Sequence, residues 1–144
     1  MGDRRHSRTN KQRSGAALIE LSLVLFLMVT VVFGCVDFGR FASTHIAVTN
    51  AARVGANFGR SNPFTIATED LWRSQIYSAV RDEMSGIAGY DEEDLEISEA
   101  TLITVDDLSR VRVQVTYPFE PVVPWVVIPA RIEITRVSEM PVTL

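Results

Sequence analysis

The pattern of hydrophobic and polar positions changes along the 144-residue chain, and its first part is almost purely apolar. No charged residue occurs from Leu21 to Val36, and the apolar run reaches back to Gly15 with Glu20 as its one charge. Beyond this run, apolar positions recur every three or four residues, which predicts one helix from about Gly15 to Phe58. The 22 residues from Gly15 to Val36 form a helix of roughly 33 Å, long enough to cross the hydrocarbon core of a bilayer.

A second helix is predicted after a break at residues 59–63, which contain glycine, asparagine and proline. Thr68 is its predicted N-cap, and Gly86 and Gly89 are predicted to end it. Its apolar face recurs at helical spacing, so we expect these side chains to form core contacts. They are Trp72, Ile76, Val80, Met84 and Ile87.

The last third of the chain has the alternation that is typical of strands. Residues 95–105 are rich in β-branched and apolar side chains, residues 110–117 alternate strictly, and a last strand includes Ile132 and Ile134. Asp106 and Asp107 are predicted to form a hairpin turn. We therefore expect an α+β fold in which two helices cover one face of a small antiparallel sheet of three or four strands.

The segment from Pro118 to Pro129 holds four of the six prolines, which argues against a central strand there. Its apolar residues could close the small core or form an exposed patch for a subunit or membrane contact. We favour core closure, because a domain of this size has little else to bury.

Charge is distributed unevenly on the two sides of the apolar run. Residues 1–15 carry five basic side chains and one acidic one, whereas residues 37–144 carry nine basic and sixteen acidic ones. This asymmetry indicates a membrane rather than a nucleic acid as the partner. It predicts a cytoplasmic leader over residues 1–15, a transmembrane helix over 16–36 and an exported domain over 37–144.

The apolar run has four possible interpretations. A cleaved signal peptide needs a shorter run with small residues at the cleavage site. A lipoprotein signal would use Cys35, the single cysteine, but Phe33 is bulky for such a motif. A plain anchor explains everything except Glu20, and an anchor that carries a processing and assembly signal explains Glu20 as well.

Glu20 is the residue that calls for an explanation. A carboxylate at the centre of a bilayer costs about 2.5–3.5 kcal/mol, and less near an edge. Glu20 lies about one and a half turns into the helix, so it is either a tolerated near-surface charge or one with a partner in the membrane.

Little else in the sequence points to chemistry. His45 falls within the apolar stripe and is interpreted as a half-buried helix residue rather than a ligand. The acidic run Asp91–Asp94 is interpreted as a solvated loop rather than a calcium site. No phosphate loop or nucleophile motif occurs, so we expect no catalytic residues, no metal, no cofactor and no small-molecule substrate.

The N-terminal pattern resembles the processing signal of type IV pilins and pseudopilins. It consists of a basic leader, Gly15, the residues Ala16 to Ile19, Glu20 and an apolar run. The resemblance implies that a prepilin peptidase cuts between Gly15 and Ala16. It also implies that Glu20 pairs with the freed α-amino group of a neighbouring subunit during assembly.

Three further stretches narrow the resemblance from type IV pilins in general to one family, and the first of them is Asp37-Phe38-Gly39-Arg40. Residues 51–56 (AARVGA) and 111–119 (VRVQVTYPF) are similar to TadE-like proteins, which are minor pseudopilins of the tight-adherence pilus. The resemblance implies a pilin-like fold and a single-pass protein of the bacterial inner membrane with a periplasmic domain. It implies other pilins and the pilus assembly platform as partners, and a role in surface adhesion. The alternative from another class is a membrane-anchored periplasmic binding or adhesion module that does not enter a filament.

Overall fold

The structure is a computed structural model that describes residues 7–62, 64–105, 108–124 and 128–142. These residues form an α+β fold with a pilin-like layout, as predicted. By contacts they fall into two compact units, one up to Phe38 and one from Gly39 onwards. The elements are helices α1 (Ser7–Ser61) and α2 (Glu69–Met84), a 3-10 turn (Ile66–Thr68), and strands β1 (Glu96–Val105), β2 (Leu108–Phe119) and β3 (Ile132–Pro141).

Helix α1 begins at Ser7, eight residues earlier than the predicted start at Gly15, so the predicted start is wrong. The leader has no proline between Ser7 and Gly15, and its lysine and arginines are good helix formers. A single glycine costs about 1 kcal/mol in a helix, which is too little to end one.

At its other end α1 stops at Ser61, three residues beyond the predicted Phe58. The backbone N–H and the side-chain amide of Asn62 both donate to the Phe58 carbonyl, at 3.1 and 2.9 Å. Proline follows Asn62 in the sequence, and the residue before a proline disfavours the helical conformation.

Thr68 is the N-cap residue of α2, as predicted, but its side chain does not cap the helix. Its hydroxyl instead accepts a hydrogen bond from the backbone N–H of Thr65 at 2.9 Å, closing the preceding 3-10 turn. Glu69 and Asp70 occupy the first turn of α2, where the helix dipole favours acidic side chains.

The sheet is antiparallel with the order β1-β2-β3. In the central strand Val111, Val113 and Val115 are fully buried, as their alternation predicted. Strand β1 has a register shift between Ile97 and Glu99. The shift puts Ala100 on the same buried face as Ile97 although the two are three residues apart, because a bulge adds one residue to the strand.

Both helices cover this buried face, and two glycines let α1 come close to it. A methyl group at Gly55 would lie 2.7 Å from Val80 Cγ2 and 3.2 Å from Val113 Cγ1. The indole N–H of Trp72 donates to the Gly59 carbonyl at 3.1 Å, which joins the two helices. The buried apolar core consists of Val48, Ala51, Ala52, Ala56, Trp72, Ile76, Val80, Met84, Ala100, Val111, Val113, Val115, Tyr117, Phe119 and Ile134.

The proline-rich segment departs from the prediction in two ways. Pro118 lies inside the central strand, opposite Glu133 of β3. It is tolerated because β1 pairs with β2 only as far as Thr116, so β2 is locally an edge strand at Pro118. Core closure holds for Phe119, which is 6% exposed, whereas Val122 and Ile128 are exposed. The predicted turn at residues 106–107 lies outside the described residues.

Candidate functional site

Gly15 lies in the third turn of α1, with its surroundings open. A methyl group on Gly15 would meet nothing within 4 Å outside its own stretch of helix, unlike one on Gly55 or Gly59. Packing therefore does not explain the glycine. Its physical effect is to weaken the helix locally by about 1 kcal/mol relative to alanine.

Glu20 is exposed on α1, five residues after Gly15. The other polar groups of the apolar stretch are satisfied within the helix. The Ser22 hydroxyl donates to the Ile19 carbonyl at 2.8 Å, and the Thr30 hydroxyl donates to the Phe26 carbonyl at 2.9 Å. Such bonds allow hydroxyl residues to lie in lipid, because no water is needed to satisfy them.

The apolar stretch around Glu20 is exposed on all sides of the helix. Between Gly15 and Ser61, α1 is long and apolar enough to cross a membrane, and none of its most apolar 18-residue window is buried within the chain. Cys35, at the end of this stretch, is a free and exposed cysteine. The exposed large apolar side chains are Leu18, Ile19, Leu21, Leu23, Val24, Leu25, Phe26, Leu27, Met28, Val29, Val31, Val32, Phe33 and Val36.

An apolar surface of this extent needs lipid or other helices around it. The helix therefore fits a single-pass membrane protein. Within this surface Glu20 is the only ionisable side chain between Gly15 and Val36 apart from the Cys35 thiol.

His45 is half-buried, as the sequence predicted for a helix residue in the apolar stripe. Its Nε2 contacts the Arg136 guanidinium, and its ring lies 6.2 Å from that of Phe41. Across the described residues, no group of three or more His, Cys, Asp or Glu side chains could hold a metal ion.

The acidic run Asp91–Asp94 is an exposed loop held by specific contacts. The Asp91 backbone N–H donates to the Tyr117 hydroxyl at 3.0 Å. Asp94 forms an ion pair with Arg131 at 2.7 Å, and Glu92 forms one with Arg81 at 3.1 Å. The loop is therefore tied to α2 and to the chain just before β3.

Tyr90, at the start of this loop, stacks on Tyr117 with ring centroids 5.9 Å apart. Its hydroxyl oxygen is buried and finds no hydrogen-bond partner in the described part of the chain. Burial raises the pKa of Tyr90 above its ordinary value, and the nearby Glu92 carboxylate adds to the effect.

Comparison with known proteins gives a family match for part of helix α1. Residues 15–57 match the family model described as TadE-like protein. The match begins at Gly15, includes Ala16 and Glu20, and ends in the part of α1 that packs on the sheet. Searches of the curated proteins and of the solved structures gave no significant match.

Proposed function

We propose, on the premise that residues 15–57 of this chain are TadE-like, that it is a minor pseudopilin that takes part in assembling a tight-adherence pilus. The observation that carries the proposal is the joint placement of Gly15, Ala16 and Glu20 at one end of an exposed apolar helix. We propose that the chain acts by assembly and surface adhesion rather than by catalysis. Its partners are then the inner membrane, a prepilin peptidase, other pilins and the assembly platform.

Processing would occur at the bond between Gly15 and Ala16. This bond lies inside α1, and a peptidase needs an accessible backbone, so the helix must open there before cleavage. Gly15 lowers the cost of opening, because it is a poor helix former and no side chain packs around it. The basic leader up to Gly15 would stay on the cytoplasmic side.

Cleavage would create an ammonium group on Ala16, next to Glu20. The two groups lie four residues apart, one helical turn, so the Glu20 carboxylate stays near the new N-terminus. A carboxylate in lipid is costly when it is alone, and an opposite charge recovers much of that cost.

A neighbouring subunit can supply this opposite charge only when the two helices are in axial register. We propose that Glu20 pairs with the α-amino group of such a neighbour and thereby sets the stagger between subunits. Removing one partner of a desolvated ion pair costs about 3–5 kcal/mol, which is enough to abolish incorporation.

N-terminal sequencing of the membrane-extracted protein tests the processing step. The proposal expects a mature chain that starts at Ala16. A start at Met1 in cells with active prepilin peptidase would contradict it and favour the anchored module that does not enter a filament. A start at Cys35 would favour a lipoprotein instead.

Glu20→Gln tests the pairing, because it keeps the shape of the side chain and removes the charge. We expect normal amounts of the protein in the membrane, loss of surface pili and loss of co-purification with other pilins. Glu133→Gln is the matched control, since Glu133 is an exposed carboxylate on β3. Wild-type pili in Glu20→Gln cells would refute the pairing.

A further inference from the structure

The part of α1 that follows Gly39 buries one face and exposes the other. Val48, Ala51 and Ala56 of the buried face are fully inaccessible to solvent. The outer face repeats at spacings of three and four residues, so its members form one stripe along the helix. This outer stripe consists of Ser43, Ile46, Asn50, Arg53, Asn57 and Arg60, all exposed.

The outer stripe is basic and has no acidic counterpart on its own part of the helix, from Gly39 to Ser61. No acidic residue occurs between Gly39 and Ser61, whereas residues 62–144 carry fifteen acidic side chains and six arginines. Arg60 donates through its Nε to the Asn57 amide oxygen at 3.2 Å. Among the described residues, neither Arg53 nor Arg60 forms an ion pair.

An acidic surface lies at the C-terminal end of α2. Asp82 and Glu83 are exposed in the last turn of α2 and form no ion pair with a described residue. Carboxylates in this position are disfavoured by the helix dipole, by about 0.3–1 kcal/mol each. The ion pair between Arg81 and Glu92 brings the acidic loop to the same helix end. We call Asp82, Glu83 and residues 91–93 the acidic end of α2.

We infer that the outer stripe of one copy docks on the acidic end of α2 of a second copy of this chain. The stripe cannot pack well against itself, because Arg53 and Arg60 would then face arginines of the partner. The acidic end of α2 cannot pack well against the same surface of another copy either, because carboxylates would then face carboxylates. Complementary charge therefore selects a contact between two different surfaces, and each unpaired charge gains a partner.

A contact between two different surfaces does not close on itself unless the rotation happens to complete a ring, so it generates an open helical array. Such geometry is what a filament requires. The inference deepens the proposed assembly function and rests on it, while naming the surfaces of the exported unit that would meet.

Paired charge reversals in the full-length chain test the inference. One variant carries Arg53→Glu and Arg60→Glu, and the other carries Asp82→Arg and Glu83→Arg. Self-association is measured by sedimentation in one detergent at low salt, with circular dichroism to check folding. Each variant alone should associate at least about tenfold more weakly than wild type, because like charges then meet.

Association in an equal mixture of the two variants is the decisive measurement. The reversed stripe of the first variant is complementary to the reversed α2 end of the second, and the two unreversed surfaces are complementary as well. We therefore expect the mixture to recover association, which misfolding cannot explain. Glu133→Arg, on the opposite face of the sheet, is the matched control and should associate like wild type.

Wild-type association should also weaken as salt rises from 0.1 to 1 M, since the screening length falls from about 10 to about 3 Å. The inference would be overturned if each of the two variants alone associated like wild type, or if the mixture did not recover association. If a charge-reversal variant loses pili in cells but self-associates normally, the partner of these surfaces is another pilus protein and not a second copy of this chain. Recovery in the mixture with an unprocessed N-terminus would instead refute the proposed function and leave the interface standing.

Discussion

Gly59→Ala should destabilise the unit that begins at Gly39, because the added methyl group has no room. It would lie 2.8 Å from Val111 Cγ1, 2.9 Å from Ile76 Cδ1 and 3.0 Å from Trp72 Cζ2. All three neighbours are almost fully buried, so none of them can turn out into solvent. The Trp72 indole also donates to the Gly59 carbonyl, so a shift of either helix strains that hydrogen bond.

Two opposing effects set the size of the change. Alanine is a better helix former than glycine by about 1 kcal/mol. Forcing one extra carbon into a packed core costs about 1–3 kcal/mol, and three contacts at or below 3.0 Å place Gly59 at the upper end of that range. We expect a net loss of about 1–2 kcal/mol in the free energy of unfolding, or a melting temperature lower by roughly 4–8 °C for a unit of about this size.

Thermal unfolding of the full-length protein in detergent, followed by tryptophan fluorescence, measures the change. Trp72 is 3% exposed, so its emission reports the opening of the core. Gly39→Ala is the matched control on the same helix, since a methyl group there meets nothing within 4 Å. It should keep or raise the melting temperature. The packing argument fails if Gly59→Ala is as stable as Gly39→Ala.

Two smaller effects are expected around the acidic loop. Because burial raises the pKa of Tyr90, the unfolded chain loses this proton first, so the free energy of unfolding should fall as pH rises from about 10 through the folded pKa. In urea titrations Tyr90→Phe should reduce this alkaline loss and cost nothing at pH 7, since its hydroxyl has no partner among the described residues; an equal alkaline slope would contradict this. Arg131→Ala removes ion pairs to Asp94 and Glu120, but all three side chains are substantially exposed, so urea titration should show a loss below about 1 kcal/mol that shrinks in high salt. A loss above 2 kcal/mol would show that these pairs clamp the loop.

The elements were predictable where one periodicity dominates. The strict alternation from Val111 to Tyr117 and the helical spacing from Trp72 to Met84 both specify which side chains are buried, and both predictions are confirmed. Boundaries were less predictable because they depend on small energy differences. Helix α1 extends past Gly15 to Ser7. Pro118 is tolerated in the central strand β2, because the pairing with β1 ends at Thr116 and β1 therefore needs no N–H from Pro118.

The close approach at Gly55 and Gly59 was not predicted, because nothing in a local pattern tells which helix glycine faces a sheet. Only the fold distinguishes them from Gly15 and Gly39, whose surroundings are open. The roles of Gly15, Ala16 and Glu20 stay predictions. They depend on a peptidase and a neighbouring subunit, and a single chain contains neither.

The sharing of α1 between the apolar stretch and the core has a consequence for the order of events during synthesis. Val48, Ala51 and Ala56 belong to the same buried core as residues of strands β2 and β3, which are translated long after the apolar stretch. When the stretch from Leu18 to Val36 leaves the ribosome, no sheet yet exists on which the rest of α1 could fold. In a single-pass membrane protein this helix would therefore enter the bilayer through its own hydrophobicity, before any core has formed. Insertion and folding are separable as a result, and a core substitution such as Gly59→Ala should reduce the folded fraction without reducing the amount of chain in the membrane.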